Sequence, residues 1–416
     1  MSRRRPPDWL LGVMLIIGLY LWQRTAFPAW MVDLLPNQIG AYYFGTGQYD
    51  RMYVQITDPE EWRAVTEPIA QKLQNEGELS AFLYPPIVAA VLVPFADVPA
   101  PTWRDVLFGL NVLLLFVIAY QIVRLCDAGI TWRGYLWAFA LVLWAYPMSR
   151  AMKLGQIVPL LAVLSWAGLL SWRRRHETSG GVVAGIVSAL KIFPFALIVL
   201  PVLDRRWKGV LSQVLTIVVV FAGSLIALGA TVHGYWWNSM RAFGSLTNPF
   251  FGNQAPSGWI TRLAYRHPLI DEIPFTDPVL ASVGFLIAAG VGTVTLLALW
   301  RHRGTLLSEH LPVSAGLVLS AVMLAIPTAW EHYWLFVLPS LGWALYETWQ
   351  NGDERFWELW LALAAFLFIM KLTHFYGESI AGRIASGSQT VGMILFWIWC
   401  VRRVFLPLVP EPAHAA

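Results

Sequence analysis

The feature that most constrains this chain is a series of long apolar segments with almost no charged residues. A helix needs about 20 mostly apolar residues to cross the hydrocarbon core of a bilayer. Clear examples are 105–123, 134–149, 154–172, 209–232, 278–300, 311–330 and 389–401. Charged residues make up 13% of the 416 residues and hydrophobic residues 57%, which disfavours a water-soluble fold. The sequence therefore predicts an all-α polytopic membrane protein.

The positions of lysine and arginine predict how the chain is oriented, because short cytoplasmic loops carry an excess of both. With the basic clusters placed inside, the segments 28–83 and 233–277 become external loops. About ten full spans and one hairpin result, with both termini in the cytoplasm. The first external loop is expected to carry membrane-surface helices at 37–46 and 59–75. We expect residues 1–416 to form a single transmembrane domain.

Two apolar segments do not fit simple crossings. The segment 179–203 lies between basic clusters and is interrupted by Lys191 and Pro194, which predicts a hairpin of two short helices. Broken helices of this kind are tolerated where they line a cavity or pack on protein. The segment 84–98 is short and bounded by prolines, so it is predicted to re-enter or lie at the interface, with a full crossing as the alternative.

Several classes of chemistry find no support in the sequence. Cys126 and Cys400 both lie near predicted cytoplasmic ends, which argues against a disulfide framework. No Walker loop, dinucleotide fingerprint or metal-binding spacing occurs, so we expect no cofactor and no metal. The net charge of +4 fits basic cytoplasmic loops and indicates no nucleic-acid partner.

One acidic residue stands at the predicted membrane surface. Asp33 follows the first apolar span, where a carboxylate is costly unless it is solvated or used. A solvated acid at a helix start is the alternative, since Asp is common there. Asp50 and Asp58 in the same external loop compete for a catalytic role.

Three cations occupy positions that the membrane disfavours. Arg150 and Lys153 lie at the predicted external mouth of a span, against the positive-inside tendency. An anionic phosphate is the simplest partner, because both residue types form charge-assisted hydrogen bonds to it; snorkelling toward headgroups is the alternative. Lys191 lies within an apolar hairpin, which indicates a ligand or an intramembrane partner, such as a carboxylate in a structural pair.

Two further groups of polar residues fall in predicted external segments. Asn253, Gln254 and Arg262 belong to a turn-rich loop. Glu331 and His332 stand at a junction between helices, where they would hydrogen-bond a polar ligand or cap the helices.

These residues form an ordered set of short motifs. The motifs are Asp33 after the first helix, Phe82-Leu83-Tyr84-Pro85-Pro86, Leu154-Gly155-Gln156, Ala189-Leu190-Lys191 with Pro194, Gly252-Asn253-Gln254 and Trp330-Glu331-His332. In this order they resemble the polyprenyl-phosphate-sugar-dependent membrane glycosyltransferases of the GT-C fold. The resemblance is greatest to the mycobacterial phosphatidylinositol-mannoside α-1,2-mannosyltransferases of glycosyltransferase family 87, and it runs from about residue 30 to residue 340.

The resemblance implies an enzyme of the bacterial cell membrane that transfers a sugar, mannose, from a polyprenyl-phosphate donor. The acceptor would be a hydroxyl of a lipid or glycan on the external face, the transfer would be inverting, and Asp33 would be the general base. The residues expected to bind substrate are Tyr84, Arg150, Lys153, Gln156, Lys191, Asn253, Gln254, Arg262, Glu331 and His332.

A transporter or flippase for a lipid-linked or anionic substrate is the alternative function. Charges near the membrane midplane and broken helices also mark transport pathways. Such proteins use inverted repeats and polar residues accessible from both sides. The chain has no corresponding broken segments in two halves, and its unusual polar residues cluster on one side, so the sequence favours the enzyme.

Overall fold

The structure is a computed structural model, and it describes residues 7–27, 32–54, 59–75, 80–126, 131–244, 248–265, 277–350, 356–370 and 379–405. Its α-helices, in chain order, are α1 (Asp8–Ala26), α2 (Leu35–Gly45), α3 (Tyr49–Met52), α4 (Pro59–Lys72), α5 (Pro86–Leu92), α6 (Ala100–Leu125), α7 (Trp132–Trp144), α8 (Tyr146–Leu154), α9 (Val158–Arg173), α10 (Glu177–Leu190), α11 (Val199–Leu203), α12 (Trp207–Leu228), α13 (Ala230–Gly244), α14 (Pro256–Ala264), α15 (Pro278–Arg301), α16 (Leu311–Ala325), α17 (Leu338–Gln350), α18 (Phe356–Ile369), α19 (Ile380–Ala385) and α20 (Ser388–Phe405). Short 3-10 helices are Val93–Phe95, Phe193–Ile198 and Glu331–Phe336. Since the described residues contain helices and no strand, the predicted all-α class is confirmed.

Long apolar helices make the chain a polytopic membrane protein. Within the described ranges, α1, α6, α12 and α15 are long and apolar enough to cross a bilayer. Shorter apolar helical segments of 10–17 residues accompany them, α9, α10, α16 and α18 among these. The count of about ten spans and the placement of both termini stay predictions.

Four of the predicted apolar runs are not continuous helices. The run 209–232 divides at Gly229, and the run 154–172 includes the turn at Gly155 before α9 begins. In the other two runs proline is the cause. The run 134–149 divides at Ala145 into α7 and α8, because Pro147 has no N–H for the preceding turn. The run 311–330 ends as helix at Ala325, two residues before Pro327. The break at Ala145 creates the short polar helix α8, which carries Arg150 and Lys153.

The predicted interruption within 179–203 is confirmed. The helix α10 ends at Leu190, Lys191 is extended, and a 3-10 helix with Pro194 in its first turn follows. The two helices predicted in the first loop are present as α2 and α4, and their position at the membrane surface stays a prediction. The segment 84–98 forms α5 and a 3-10 turn, and whether it spans the membrane or returns stays a prediction.

The described residues contain two main hydrophobic cores. The larger core runs through the helix bundle and includes the fully buried indoles of Trp166, Trp172 and Trp399. The smaller core lies within the first loop, where α2, α3, α4 and α5 pack on α13 through residues such as Ile39 and Phe82. The first loop is therefore a packed layer with a core of its own, and Asp33 lies where it joins the bundle.

Glycines allow α10 to approach α12 closely. A Cβ atom added to Gly185 would lie 2.6 Å from Cβ of Thr216 and 2.8 Å from the carbonyl oxygen of Gln213. One turn earlier, Gly181 meets Gly209 and Ser212 in the same way. Small residues four positions apart are typical of close helix pairs in membranes. This packing fixes the position of α10, the helix that ends directly before Lys191.

We expect Gly185→Ala to destabilise the protein by about 1–3 kcal/mol, because the new methyl group overpacks the contact with α12. Gly223→Ala in α12 is the matched control, since a Cβ there meets nothing within 4 Å. The measurement is the thermal unfolding midpoint of detergent-purified protein. A Gly185→Ala variant as stable as Gly223→Ala would contradict the observed helix contact.

Candidate active site

The carboxylate of Asp33 joins three segments of the chain. Its Oδ1 accepts a hydrogen bond from Oγ of Ser80 at 2.9 Å, and its Oδ2 accepts one from Nε2 of Gln156 at 2.6 Å. The backbone N–H of Asp33 donates to the carbonyl of Leu154 at 2.9 Å. Asp33 is thus held between the first loop and the end of α8.

The turn that presents Gln156 depends on glycine. Gly155 ends α8 with φ +71°, a left-handed conformation that glycine adopts without strain. The N–H of Gln156 then bonds back to the carbonyl of Ala151 at 2.9 Å, and Nδ2 of Asn111 donates to the carbonyl of Gln156 at 3.2 Å. Because these bonds hold the backbone of Gln156, its side chain projects toward Asp33 and donates to the carboxylate.

The surroundings of Asp33 raise its pKa above the ordinary value. Burial of the carboxylate is the dominant cause. The hydrogen bonds from Gln156 and Ser80, followed by the positive charges of Lys191 and Arg150, lower the pKa but do not cancel the effect of burial. Because Asp33 lies outside the spanning helices and has a raised pKa, it is a stronger proton acceptor than a solvated carboxylate.

Lys191 lies at the break between α10 and the following 3-10 helix, with aromatic rings around its ammonium group. Its Nζ is 4.2 Å from the ring centroid of Tyr333 and 5.6 Å from that of Tyr84. Tyr333 in turn stacks on Phe193, with the ring centroids 5.0 Å apart. Aromatic faces stabilise a cation, so these rings favour the ammonium form of Lys191.

Arg150 forms a buried ion pair with Glu331. Nε of Arg150 is 3.0 Å from Oε2 of Glu331, which also accepts a hydrogen bond from the hydroxyl of Tyr146 at 3.3 Å. The side chains are 12% and 2% exposed, so removal of one partner would leave a buried charge. Lys153 follows in α8, and its pKa lies below the ordinary value. Partial burial and the charge of Arg150 lower the pKa more than the charge of Glu331 raises it.

His332 and Gln156 place polar atoms without hydrogen-bond partners beside these charges. His332 is 2% exposed, and among the described residues neither of its ring nitrogens has a hydrogen-bond partner. The Oε1 atom of Gln156 is also buried and unpartnered in this part of the chain. Buried polar groups are ordinarily hydrogen-bonded, so these atoms are suited to a hydroxylated ligand.

Asn253 lies in a different environment, where backbone groups use its whole amide. Its Nδ2 donates to the carbonyls of Asn248 and Pro327 at 2.8 and 3.2 Å. Its Oδ1 accepts from the N–H groups of Ala255 and Ala329 at 3.1 and 3.0 Å. These bonds tie the 248–255 turn to the chain before Glu331.

Gln254 and Arg262 extend the same framework. Nε2 of Gln254 donates to the carbonyls of Phe251 and Ser386 at 2.7 and 2.9 Å. The guanidinium of Arg262 donates to the Asn253 carbonyl at 2.8 Å and to Oγ of Ser386 at 2.9 Å. Both side chains are buried, and their donors bond to backbone carbonyls of their own loop and to Ser386.

The structure therefore divides the predicted site residues into two sets. The first set interacts with Asp33 or with the cations beside it: Tyr84, Gln156, Lys191 and Arg150 interact with Asp33, and Lys153, Glu331 and His332 interact with those cations. The second set, Asn253, Gln254 and Arg262, supports the neighbouring loop. Asp50 is exposed on α3, and Asp58 lies outside the described residues. No group of acidic, histidine or cysteine residues suited to a metal occurs in the part of the chain that the structure describes.

Sequence reasoning missed three residues of this cluster. Tyr333 directly follows His332, and Tyr146 lies one helical turn before Arg150, so both had a signal in the spacing. Ser80 had none, because a single serine in a polar loop carries no pattern.

The two sets differ in what a substitution should change. We expect Asn253→Ala to lower the free energy of unfolding by about 1–3 kcal/mol, because buried N–H and carbonyl groups lose their partners. The exposed Asn238 in α13 gives the matched control, Asn238→Ala. Thermal unfolding of the purified variants measures both. An Asn253→Ala protein of unchanged stability would contradict the supporting role.

Comparison with known proteins adds family evidence to this geometry. The model of glycosyltransferase family 87 matches residues 82–327. A polyprenol-phosphate-mannose-dependent alpha-(1-2)-phosphatidylinositol pentamannoside mannosyltransferase of Mycobacterium tuberculosis is 25% identical over 64% of this chain and 58% of its own length. A phosphatidylinositol mannoside mannosyltransferase of Mycolicibacterium smegmatis, likewise polyprenol-phosphate-mannose-dependent, is 26% identical over 62% of this chain and 60% of its own.

A third relative transfers a different sugar. An alpha-(1->3)-arabinofuranosyltransferase of Mycolicibacterium smegmatis is 25% identical over 69% of this chain and 64% of its own length. The chain thus spans about three fifths of the length of the curated relatives that it matches. No solved structure matches it. Since the family model covers more than half of the chain, this protein belongs to glycosyltransferase family 87.

Proposed function

We propose that this enzyme transfers mannose from a polyprenyl-phosphate donor to a hydroxyl of a lipid or glycan, with inversion at the sugar and Asp33 as the general base. The observation that carries the proposal is a buried carboxylate in the electrostatic field of two cations, Lys191 and Arg150. A base and an anion site side by side are what transfer from a phosphate leaving group requires.

The proposed reaction is a single displacement. The acceptor oxygen attacks C1 of the sugar while its proton passes to the carboxylate of Asp33. The bond between C1 and the phosphate oxygen breaks, and polyprenyl phosphate leaves with the electron pair and one additional negative charge. Attack from the face opposite the phosphate inverts the configuration at C1, and Asp33 then returns its proton to solvent.

The cations are assigned to the leaving phosphate. Lys191 is held by aromatic rings and Arg150 by Glu331, so both are positioned before the donor binds. Fixed charges directed at a developing anion stabilise the transition state without reorganising during the reaction. Lys153 adds a third positive charge one turn along α8. This assignment gives Glu331 the role of positioning Arg150.

The remaining groups are assigned to the sugar. The unpartnered atoms of His332 and Gln156 would bind sugar hydroxyls, with the ring of Tyr84 beside Lys191. Asn253, Gln254 and Arg262 are assigned an indirect role, since their hydrogen bonds fix the loop joined to Glu331. The backbone N–H of Glu331 donates to the carbonyl of Gly252 at 3.1 Å, which makes that connection.

The names of the relatives support the choice of mannose and of the donor lipid, and the positive-inside pattern supports the proposed orientation in the membrane. Two reported relatives are named for polyprenol-phosphate mannose, and the arabinofuranosyltransferase keeps a pentose as the alternative sugar. We place the enzyme in the cell membrane, as one domain, with Asp33 on the external face. Membership of a glycosyltransferase family leaves no support for the transporter alternative.

The base is tested by Asp33→Asn. Purified wild-type protein should release polyprenyl phosphate from polyprenyl-phosphate mannose in the presence of a lipid extract and glycosylate a lipid. Asp33→Asn should lower kcat by roughly 10²- to 10⁴-fold, because the amide cannot accept the proton, while donor binding is retained. Asp50→Asn in the exposed helix α3 is the matched control and should keep its activity. Full turnover by Asp33→Asn would overturn the assignment.

The raised pKa of Asp33 predicts a shifted pH profile. Since the base must be deprotonated, kcat/KM should fall as the pH drops through its pKa, which burial raises above the usual 3.8. Ser80→Ala removes a hydrogen bond that favours the carboxylate, so the acidic limb should move to higher pH with most of the high-pH rate retained. Ser282→Ala, an exposed serine near the start of α15, is the control. If the acidic limb of kcat/KM lay at the same pH in Ser80→Ala as in the wild type, that result would contradict the assignment of Asp33 as the base.

A further inference from the structure

The proposed base has to lose a proton after every sugar transfer. Above the second pKa of a phosphate monoester, about 6, the proposed reaction frees one proton for each polyprenyl phosphate that leaves. That proton passes first to the buried carboxylate of Asp33. Products that still occupy the site cover the side from which the acceptor approached. Asp33 therefore needs a second route by which the proton can leave.

The two side chains that bind the carboxylate differ in what they can do with a proton. Gln156 binds Oδ2 through Nε2, an amide nitrogen that only donates. Ser80 binds Oδ1 through its hydroxyl, which donates one hydrogen bond and can accept others on its oxygen. Of these two partners, only Ser80 can take up the proton of Asp33 and pass its own proton on.

Ser80 also lines a small cavity in the first loop. The cavity has a volume of about 10 Å³, which is about the space that one water molecule needs. A buried water also needs about two to four polar partners. The lining includes the hydroxyl-bearing side chains of Ser80 and Thr66 and the guanidinium-bearing side chain of Arg51. Both the size and the polar lining of the cavity therefore suit a single water molecule.

The cavity extends from the interior of the first loop to its surface. Thr66 and Phe82 in the lining are buried, whereas Arg51 is exposed and Trp62 is half-buried. A water in the cavity can therefore bond to Ser80 and exchange protons with bulk water beside Arg51. A space of this size excludes a sugar or a lipid headgroup, so the reactants do not enter through it.

We propose that Ser80 and one water molecule in this cavity return the proton of Asp33 to solvent after each transfer. The inference rests on the proposed function, which makes Asp33 the base. The neutral carboxylic acid donates its proton from Oδ1 to Oγ of Ser80, Ser80 gives its hydroxyl proton to the water, and the water gives one proton to bulk solvent. The carboxylate is restored, and the hydroxyl of Ser80 turns back to donate to Oδ1.

The test follows the proton and the leaving group separately in a single turnover. Excess purified enzyme is mixed with polyprenyl-phosphate mannose and a lipid extract in weak buffer at about pH 8, where the leaving phosphate has lost its second proton. Quenched samples measure polyprenyl phosphate, and an indicator dye measures released protons. In the wild type both should appear at the same rate.

Valine and threonine side chains have the same shape and differ in the hydroxyl group. In Ser80→Val, polyprenyl phosphate should form at nearly the wild-type rate, while proton release should be slower by about tenfold or more, because the proton transfer lacks a positioned group. Ser80→Thr should restore proton release. Ser282→Val, at an exposed serine of α15, is the matched control, and both of its signals should match the wild type.

Several results would overturn the proton route and leave Asp33 as the base. They are proton release at the same rate as polyprenyl phosphate in Ser80→Val, an equal delay in Ser80→Thr, and a sugar transfer in Ser80→Val that slows as much as proton release. Turnover by Asp33→Asn at the wild-type rate would instead overturn the proposed function.

A second variant decides the question if Ser80→Val does not fold. Thr66→Val removes a polar group from the lining of the cavity and leaves the hydrogen bond between Ser80 and Asp33 in place. It should also delay proton release relative to polyprenyl phosphate, because the water loses a partner. Release of both at the same rate in Thr66→Val would contradict the role of the water.

Discussion

The burial of one carboxylate is the constraint on which the rest of the site depends. A buried charge is unfavourable unless hydrogen bonds and opposite charges replace water. Asp33 obtains its hydrogen bonds from Ser80 and Gln156, and its opposite charges from Lys191 and Arg150. These residues come from three parts of the chain that are far apart in sequence. The first loop and the helix bundle must therefore both be in place before the carboxylate is stable.

Breaks in the helices supply the other half of the arrangement. In an apolar bundle a continuous helix satisfies its own backbone, so polar chemistry needs places where the helix ends. Proline produces them at Pro147, Pro194 and Pro327. Each break is followed or preceded by a residue of the cluster: Arg150 after the first, Lys191 before the second. The third break, at Pro327, lies in the non-helical segment between α16 and Glu331. The cations thus occupy positions where the backbone already departs from the regular bundle.

The sequence predicts the helices better than it predicts their ends. Long apolar runs such as 278–300 need no partner to be recognised, and the structure has α15 there. The division of 134–149 at Ala145 depends on how one proline is accommodated, which hydrophobicity does not report. In the site, Lys191 was predictable because a cation in an apolar segment demands an explanation. Ser80 was not, since its role comes only from the hydroxyl that it turns toward Asp33.

Polar residues in loops show why site prediction from sequence stops short. Asn253 and His332 both stand in turn-rich segments, and nothing in their neighbours separates them. Their hydrogen bonds in the structure differ. The amide of Asn253 bonds to four backbone groups, whereas the ring nitrogens of His332 have no hydrogen-bond partner among the described residues. A buried side chain whose hydrogen bonds are all made within the protein supports the fold, whereas a buried polar side chain without partners is suited to binding a ligand. That difference arises from tertiary contacts between segments some 75 residues apart, since Asn253 meets Pro327 and Ala329, and no local pattern encodes it.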